Sequence, residues 1–217
     1  MAEGEGIEVR GTQIRPLPDG SDVRKVTSAD RPRVVEAVAR SFYDDPIFSW
    51  IIPDEAQRLP RLRRGFDLFA RRLWLPQDES YTTDHLIGAA FWMPPGTWHL
   101  RPLAQLRLMP ALAAITRRDL PRTLRMLNAI DAKHPHESHY YLPAVGIAPE
   151  WQGRGFGAAL LRPILARCDR DRIPAYLEAT SPRNRALYER HQFEVAEEMR
   201  VRDSPPLWRM WRQPQPR

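Results

Sequence analysis

Residues 145–161 read VGIAPEWQGRGFGAALL and carry the strongest signal in the chain. A strand-like segment is followed by a loop with glycines at 153, 155 and 157, and then by an amphipathic helix. Glycines let backbone N–H groups converge without side chains in the way, and a helix N-terminus adds unpaired donors and partial positive charge. The segment therefore predicts an anion cradle suited to a pyrophosphate. Arg154 either adds a charge contact to that anion or lies in solvent.

The same glycines allow two other interpretations. Gly153, Gly155 and Ala158 fit the G-x-G-x-x-[GA] pattern of dinucleotide-binding folds, and Glu178 follows about 20 residues later, where a ribose-binding acid would lie. However, residues 148–152 separate the strand from the first glycine, whereas that pattern begins directly at the strand end. The chain after the glycines is also short for a doubly wound sheet. The second alternative is a glycine-rich turn that binds no ligand.

Strands and helices alternate on both sides of this segment. Strands are predicted at residues 22–26, 81–83, 86–93, 139–148, 175–179, 193–202 and 207–211. Helices are predicted near residues 30–44, 57–74, 155–170 and 184–191, with short proline-broken helices in an insert at 98–134. A strand, a helix and a strand in succession imply a parallel crossover, whereas the last two strands can pair antiparallel.

These elements predict an α/β fold with a mixed central sheet of about seven strands, flanked by helices and carrying the helical insert. We expect one domain over residues 21–212. The polar residues 1–20 are expected to form a flexible tail, unless Ile14 begins an edge strand.

Composition favours a globular protein of the cytoplasm. Hydrophobic residues make up 42% and charged residues 28% of the 217 residues, and no apolar run approaches the ~20 residues that cross a bilayer. The net charge of +6 comes almost entirely from dispersed arginines, which predicts a solvated surface rather than a nucleic-acid site. The acidic, glycine-rich start is unlike a signal peptide, and the single cysteine, Cys168, fits a reducing compartment and a buried thiol. We therefore expect no nucleic-acid or membrane partner.

Two motifs at the separation found here resemble the GNAT family of acetyltransferases. Residues 152–157, QGRGFG, are similar to its [QR]-x-x-G-x-[GA] signature, and residues 184–193, NRALYERHQF, are similar to its second block. Within the family, residues 176–184, the insert and residues 207–210 are similar to puromycin N-acetyltransferases. Gln192 departs from the family pattern, in which glycine precedes the phenylalanine. A positive φ at this turn would strain a glutamine.

The resemblance implies acetyl-CoA as cosubstrate and direct transfer of its acetyl group to a primary amine of a small molecule. It implies that the strand at 145–147 splays from its neighbour and offers a backbone N–H to the thioester oxygen. Tyr188 would protonate the departing thiolate, as a phenol with a pKa near ~10 can, unless it is only a core side chain. The implied cofactor-binding residues are Val145, Gly146, Ile147, Gln152, Gly153, Arg154, Gly155, Phe156, Gly157, Ala158, Asn184 and Tyr188.

The sequence offers more than one candidate for the base that deprotonates the amine. Glu178, at a strand end beside the cleft, is the first candidate, directly or through water, and the alternative is a structural hydrogen-bonding role. His139 is the second candidate because of its near-neutral pKa, although it lies at the start of its strand. His134 and His136 are expected to be solvated. The three histidines do not predict a metal site, because the loop supplies no cysteine and no orienting acid beyond Glu137.

The segment at 42–48, FYDDPIF, joins the first two predicted helices, and in GNAT folds this junction borders the acceptor pocket. Asp44 or Asp45 would attract a cationic amine there, with Tyr43 and Phe48 as an apolar wall. The other interpretation is that both aspartates only end a helix before a proline.

Two further functions remain open from the sequence. Gln192 and the uncertain base allow a non-catalytic sensor or scaffold that binds CoA. A protein N-acetyltransferase is the other alternative, unless the insert at 98–134 roofs the groove and restricts it to small molecules. The chain is expected to be a monomer or a homodimer, with Trp208 and Trp211 on a strand that allows dimer contacts.

Overall fold

The computed structural model describes residues 22–99 and 102–216, so the predicted tail and Ile14 lie outside the described residues. The helices are α1 (Arg31–Ser41), α2 (Pro46–Ile51), α3 (Glu55–Phe69), α4 (Pro102–Thr116), α5 (Leu120–Lys133), α6 (Phe156–Asp171) and α7 (Pro182–Glu189). The strands are β1 (Val23–Lys25), β2 (Ser80–Thr83), β3 (Gly88–Met93), β4 (Tyr140–Ile147), β5 (Ala175–Ala179), β6 (Glu194–Met199) and β7 (Leu207–Arg212).

The strands form one mixed sheet in the order β1-β2-β3-β4-β5-β7-β6. β4 and β5 are parallel and are joined by the α6 crossover, whereas the other neighbouring strands in the described chain are antiparallel. This confirms the predicted α/β fold with its seven-stranded mixed sheet and flanking helices.

β4 and β5 pair only over their first residues. Their parallel register covers positions 140–142 against 175–177, and the two strands separate beyond it. Pro143 follows directly and has no N–H to donate to a neighbouring strand. On the other side of β4, the register with β3 shifts, so that residues 91–93 of β3 span residues 141–144 of β4. A proline and an extra bulged residue therefore coincide where the sheet opens.

Backbone groups of β4 point into this gap. The N–H of Ala148 donates to the carbonyl of Ile87 at 2.8 Å, which marks a hydrogen-bonded pair with the β3 side. Bonded and non-bonded pairs alternate along an antiparallel ladder, so Val145 and Ile147 turn their N–H and C=O groups away from β3 and toward the gap. In agreement, the Ile147 carbonyl accepts a hydrogen bond from Gln152 Nε2 at 2.9 Å rather than from a strand.

Helices bury both faces of the sheet. The apolar side of α6 packs on one face together with residues of α7, and Cys168 is fully buried there, as predicted. α1, α3 and α5 pack on the other face. Gly146 lies under α1, where a Cβ would come within 2.1 Å of Ser41 Oγ and 3.2 Å of Val38 Cα. The close approach of α1 to β4 therefore requires glycine at position 146.

Two local predictions were wrong or incomplete. No helix was predicted at residues 46–51, although Asp45 followed by Pro46 is a helix-start signal, and α2 begins there. A break is predicted at Pro110, whereas α4 continues through it. Pro110 and Leu106 are both exposed, so water can satisfy the Leu106 carbonyl that the proline leaves without a donor.

Candidate active site

A cleft of about 740 Å³ lies beside the end of β4, past the residues that pair with β5. Its walls are the corner between α1 and α2, the end of β4, the glycine loop with the first turn of α6, and one side of α7. It therefore brings together the two sequence motifs and the aspartate corner, which are distant in the chain.

The glycine loop presents free amides at the start of α6. Gly153 and Gly155 have φ values of 78° and 90°, which glycine adopts readily. The first intrahelical bond runs from the Ala159 N–H to the Gly155 carbonyl at 3.0 Å. The N–H groups of residues 156–158 consequently have no helical partner and lie at the positive end of the α6 dipole. This is the arrangement of an anion site.

The side chains of Gln152, Arg154 and Phe156 do not join the backbone amides of the loop in forming the anion site. Gln152 binds the Ile147 carbonyl and thereby fastens the loop to the end of β4. The ring of Phe156 is buried in the core, which leaves only its backbone for a ligand. Arg154 is exposed, with its guanidinium carbon 5.0 Å from the centre of the Trp151 ring. Arg154 is thus at the loop surface and not in the cleft wall.

The far wall, α7, carries Asn184 and Tyr188 into the cleft. Ser181 caps the helix by accepting from the Asn184 N–H at 3.2 Å. The phenol of Tyr188 forms no hydrogen bond with any residue that the structure describes, although the residue is only 6% exposed. Burial and, second, the charge of Asp45 raise the pKa of Tyr188, so the phenol stays protonated at neutral pH. A hydroxyl in a cleft wall that no described protein group binds is typical of a group that serves a ligand.

A Schellman motif fixes the end of α7 and hence Tyr188. The Phe193 N–H donates to the Tyr188 carbonyl at 3.1 Å, and the Gln192 N–H donates to the Glu189 carbonyl at 3.0 Å. Gln192 has a φ of 66°, in the left-handed region that favours glycine. The predicted strain at this departure from the family pattern is therefore present in the structure.

We expect Gln192→Gly to stabilise the fold by roughly 0.5–1 kcal/mol, because relief of the left-handed strain outweighs the greater chain entropy of an unfolded glycine. This corresponds to a rise of roughly 1–4 °C in the midpoint of thermal unfolding. Gln192→Ala is the matched control and should gain nothing, since alanine keeps its Cβ. A lower midpoint for Gln192→Gly would contradict the assignment of strain.

Glu178 lies on β5 one residue past the last pair with β4, on the face that α1 and α3 cover. Its Oε2 accepts from the Tyr141 hydroxyl at 2.9 Å, while Oε1 is buried and has no hydrogen-bond partner among the described residues. Burial is the largest cause that raises the pKa of Glu178, from its usual 4.5 to about 7, while the nearby hydroxyls of Tyr176 and Tyr141 act in the opposite direction. Glu178 does not line the 740 Å³ cleft itself. The carboxyl group therefore has the proton affinity of a base but lies outside the cleft wall.

The prediction that His134 is solvated is wrong, because its side chain is buried. Its ring stacks on Trp98 with centroids 3.8 Å apart, and its Nε2 is 3.0 Å from His139 Nε2. The Glu137 carbonyl can only accept, so it receives the proton of His139 Nδ1 at 2.6 Å, which leaves Nε2 as an acceptor. Burial lowers the pKa of both rings, that of His134 to about 3. Both nitrogens of His139 are thus engaged, which disfavours it as the base, and His136 is exposed as predicted.

Asp45 caps the start of α2 and also lines the cleft. Its Oδ1 accepts from the N–H groups of Ile47 and Phe48 and so caps α2, while Oδ2 accepts a short bond from the Thr180 hydroxyl. Asp45 is 7% exposed and lines the cleft together with Tyr188. Burial raises its pKa from 3.8 to about 6.

The Acetyltransferase (GNAT) family model matches residues 40–193, which include every element of the cleft wall. The chain belongs to the GNAT acetyltransferase family. Among relatives of this GNAT protein, an uncharacterized N-acetyltransferase of Schizosaccharomyces pombe, C550.08, is 26% identical in an alignment of 180 positions that covers 78% of this chain and 73% of the relative.

Solved structures resemble this GNAT acetyltransferase over nearly their whole length. One from Corynebacterium glutamicum, described as histone acetyltransferase HPA2 and related acetyltransferase, has a TM-score of 0.68 and 27% identity, covering 90% of this chain and 97% of that one. Arylalkylamine N-acetyltransferase 2 of Aedes aegypti has a TM-score of 0.63, with coverages of 90% and 99%. Its 13% identity shows a shared fold only.

Within residues 22–99 and 102–216 of this GNAT protein, no helix is long and apolar enough to span a membrane. The same part of the chain has no group of three or more His, Cys, Asp or Glu side chains arranged to hold a metal. Sequence reasoning did not single out Thr180 and Tyr141. Both are recognisable only from the structure, because their partners Asp45 and Glu178 lie 135 and 37 residues away.

Proposed function

We propose that this GNAT acetyltransferase uses acetyl-CoA and transfers the acetyl group directly to a primary amine of a small molecule. One observation carries the proposal: the open gap in the sheet has free amides at one end and the unpartnered phenol of Tyr188 in its wall. A linear, anionic thioester needs these two features at opposite ends of its binding site.

The residues of the cleft fit the chemical parts of coenzyme A. The amides of residues 153–158 would hold the pyrophosphate, and Arg183 and Arg190, which also line the cleft, would add positive charge. The side-chain amide of Asn184 forms no hydrogen bond with the residues that the structure describes, and it would bind the pantetheine arm. Residues 145–147 would bind that arm through the backbone groups that face the gap, as an added strand would. Arg154 contributes at the rim.

Each step of the transfer has a candidate residue. The amine nitrogen forms a bond to the carbonyl carbon of the thioester while the carbon–sulfur bond breaks. The Val145 N–H would donate to the carbonyl oxygen as negative charge develops on it. Tyr188 would donate its proton to the sulfur, and Glu178 would take the amine proton, directly or through water. A carboxyl group with a pKa of about 7 is half ionised at neutral pH, which suits a base.

The acceptor is proposed to be a small molecule, and puromycin is one amine to test because of the sequence similarity in the insert. The Corynebacterium structure motivates a second candidate function, acetylation of a protein amine, since its description includes a histone acetyltransferase. A CoA sensor without catalysis is the third. We further propose that the protein acts in the cytoplasm, as a monomer or homodimer.

One series of assays distinguishes these three candidate functions. Pure protein is incubated with acetyl-CoA and a thiol-reactive dye against a library of primary amines, puromycin and lysine peptides, and CoA binding is measured by calorimetry. Turnover on small amines supports the proposal, and turnover on peptides alone supports a protein acetyltransferase. Binding without any turnover indicates a sensor. If the protein neither binds CoA nor turns over any amine, the proposed use of acetyl-CoA is refuted.

A further inference from the structure

A row of charged side chains crosses three strands of the sheet at the proposed base. Glu178 of β5 is paired in register with Arg209 of β7, and Arg209 is paired with Glu197 of β6. Residues that lie directly opposite each other on antiparallel strands turn their side chains to the same face. The three side chains therefore follow one another on one face of the sheet, with Arg209 between the two carboxyl groups.

The guanidinium group of Arg209 is held from two sides. Its Nε donates to the Tyr176 hydroxyl at 3.2 Å, and its Nη1 donates to Glu197 Oε2 at 2.5 Å. Glu197 also accepts from Lys133 Nζ at 2.8 Å, at the exposed edge of the sheet. The Arg209 side chain is only 17% exposed, so solvent screens its charge less than it screens that of a surface arginine.

The contact with Arg209 restricts the direction of the Tyr176 hydroxyl proton. A guanidinium group has donors only, so the phenolic oxygen of Tyr176 accepts and its own proton is left for another acceptor. Tyr176 is 1% exposed, which shields this proton from bulk water. Glu178 lies two residues further along the same strand face, and its Oε1 is buried with no hydrogen-bond partner among the described residues. Oε1 is therefore an acceptor available to this hydroxyl.

We propose that Arg209 is a positioning residue for the base, because it turns the Tyr176 hydroxyl toward Glu178 and places a fixed positive charge on the neighbouring strand. The inference rests on the proposed function, in which Glu178 takes the amine proton. Arg209 lies outside the cleft wall, so it acts through Glu178 and does not touch the substrate. Its role is to favour the ionised form of a carboxyl group that burial favours in the protonated form.

The other titratable groups near Glu178 do not supply this positive charge. Burial raises the pKa of both Tyr141 and Tyr176, so these phenols are neutral. His134 and His139 pack on the Tyr176 ring, and burial lowers the pKa of both, that of His134 to about 3. Asp45, which reaches this strand through Thr180, is an acid. Burial has the largest effect on the pKa of Glu178 and raises it, whereas the charge of Arg209 lowers it.

The pH profile of kcat/KM, measured with an amine that the parent protein acetylates, tests this role. Arg209→Met keeps an unbranched side chain and removes the charge. It should move the midpoint of the rise from about 7 to about 8, the lower end of the effect of a nearby opposite charge. Activity should then fall roughly fivefold at pH 7 and return to within about twofold of the parent at pH 9. Glu197→Gln removes the anion on the other side of Arg209 and should move the midpoint below 7.

Arg200→Met is the matched control, because Arg200 forms an exposed ion pair with Glu198 at 3.2 Å, and its profile should equal that of the parent. Opposite shifts for Arg209→Met and Glu197→Gln support the proposal, and Glu197→Gln tests it alone if Arg209→Met does not fold. Unshifted midpoints, or an equal loss of activity at every pH, would overturn it. A rise that persists in Glu178→Gln would instead show that the proposed base is wrong, and absent CoA binding would refute the proposed function itself.

Discussion

Replacing Tyr188 by phenylalanine should lower kcat by about two to three orders of magnitude, the usual contribution of a general acid, and leave the Kd for acetyl-CoA within about threefold. The phenol is buried in the cleft wall and makes no hydrogen bond to the described residues, so its removal breaks no structural contact. What is lost is the proton for the departing thiolate. Steady-state kinetics give kcat, and calorimetry gives the affinity for CoA.

Tyr81→Phe is the control for this prediction. Tyr81 is a buried tyrosine of the same core cluster, and its hydroxyl donates to Glu79 at 3.2 Å, away from the cleft. Its replacement should leave kcat unchanged. If Tyr188→Phe retains the parental kcat, another group protonates the sulfur, and Tyr188 is only a core residue.

Replacing Glu178 by glutamine should lower kcat/KM by about two to three orders of magnitude, because the amine then has no carboxylate to receive its proton. In the parent protein, activity should rise as the pH increases through about 7, where Glu178 loses its proton. The variant should lack this rise. A pH profile of kcat/KM for the best amine from the library tests both statements.

The thermal stability of the Glu178→Gln variant distinguishes a catalytic role of Glu178 from a structural one. Burial raises the pKa of Glu178 above its usual 4.5, so the carboxyl group stabilises the fold in its protonated form, and that contribution is lost as the pH rises through about 7. Glutamine never ionises, so the variant should unfold at a higher temperature than the parent at pH 8–9, with a smaller difference below the usual pKa. A less active but more stable variant supports the base. A variant that loses stability at pH 8 as well as activity would indicate a structural role.

The sequence alone was sufficient to predict those parts of the fold that follow a local pattern of residues. The period of apolar residues predicted the strands, the α6 crossover and the position of the glycine loop, because each depends on residues adjacent in the chain. The strain at Gln192 was predictable too, since a single residue type conflicted with a known turn. The puromycin similarity and the site roles stay predictions.

The remaining features depend on contacts between distant segments. His134 is buried because Trp98 and His139 enclose it, and neither neighbour follows from helical or strand spacing. The position of Asp45 in the cleft depends on Thr180, which comes 135 residues later. The gap, which the family resemblance implied, coincides with Pro143 and the bulge beside it, and the bulge itself leaves no regular sequence pattern. These contacts form only when the sheet is assembled, so local sequence patterns do not predict them.

A crystal structure of the protein with acetyl-CoA tests the central claim most directly. The account predicts pyrophosphate oxygens within about 2.7–3.2 Å of the N–H groups of residues 156–158, with the sulfur beside the Tyr188 hydroxyl and the acetyl group in the gap between β4 and β5. A cofactor bound away from those amides, or a sulfur remote from Tyr188, would contradict it.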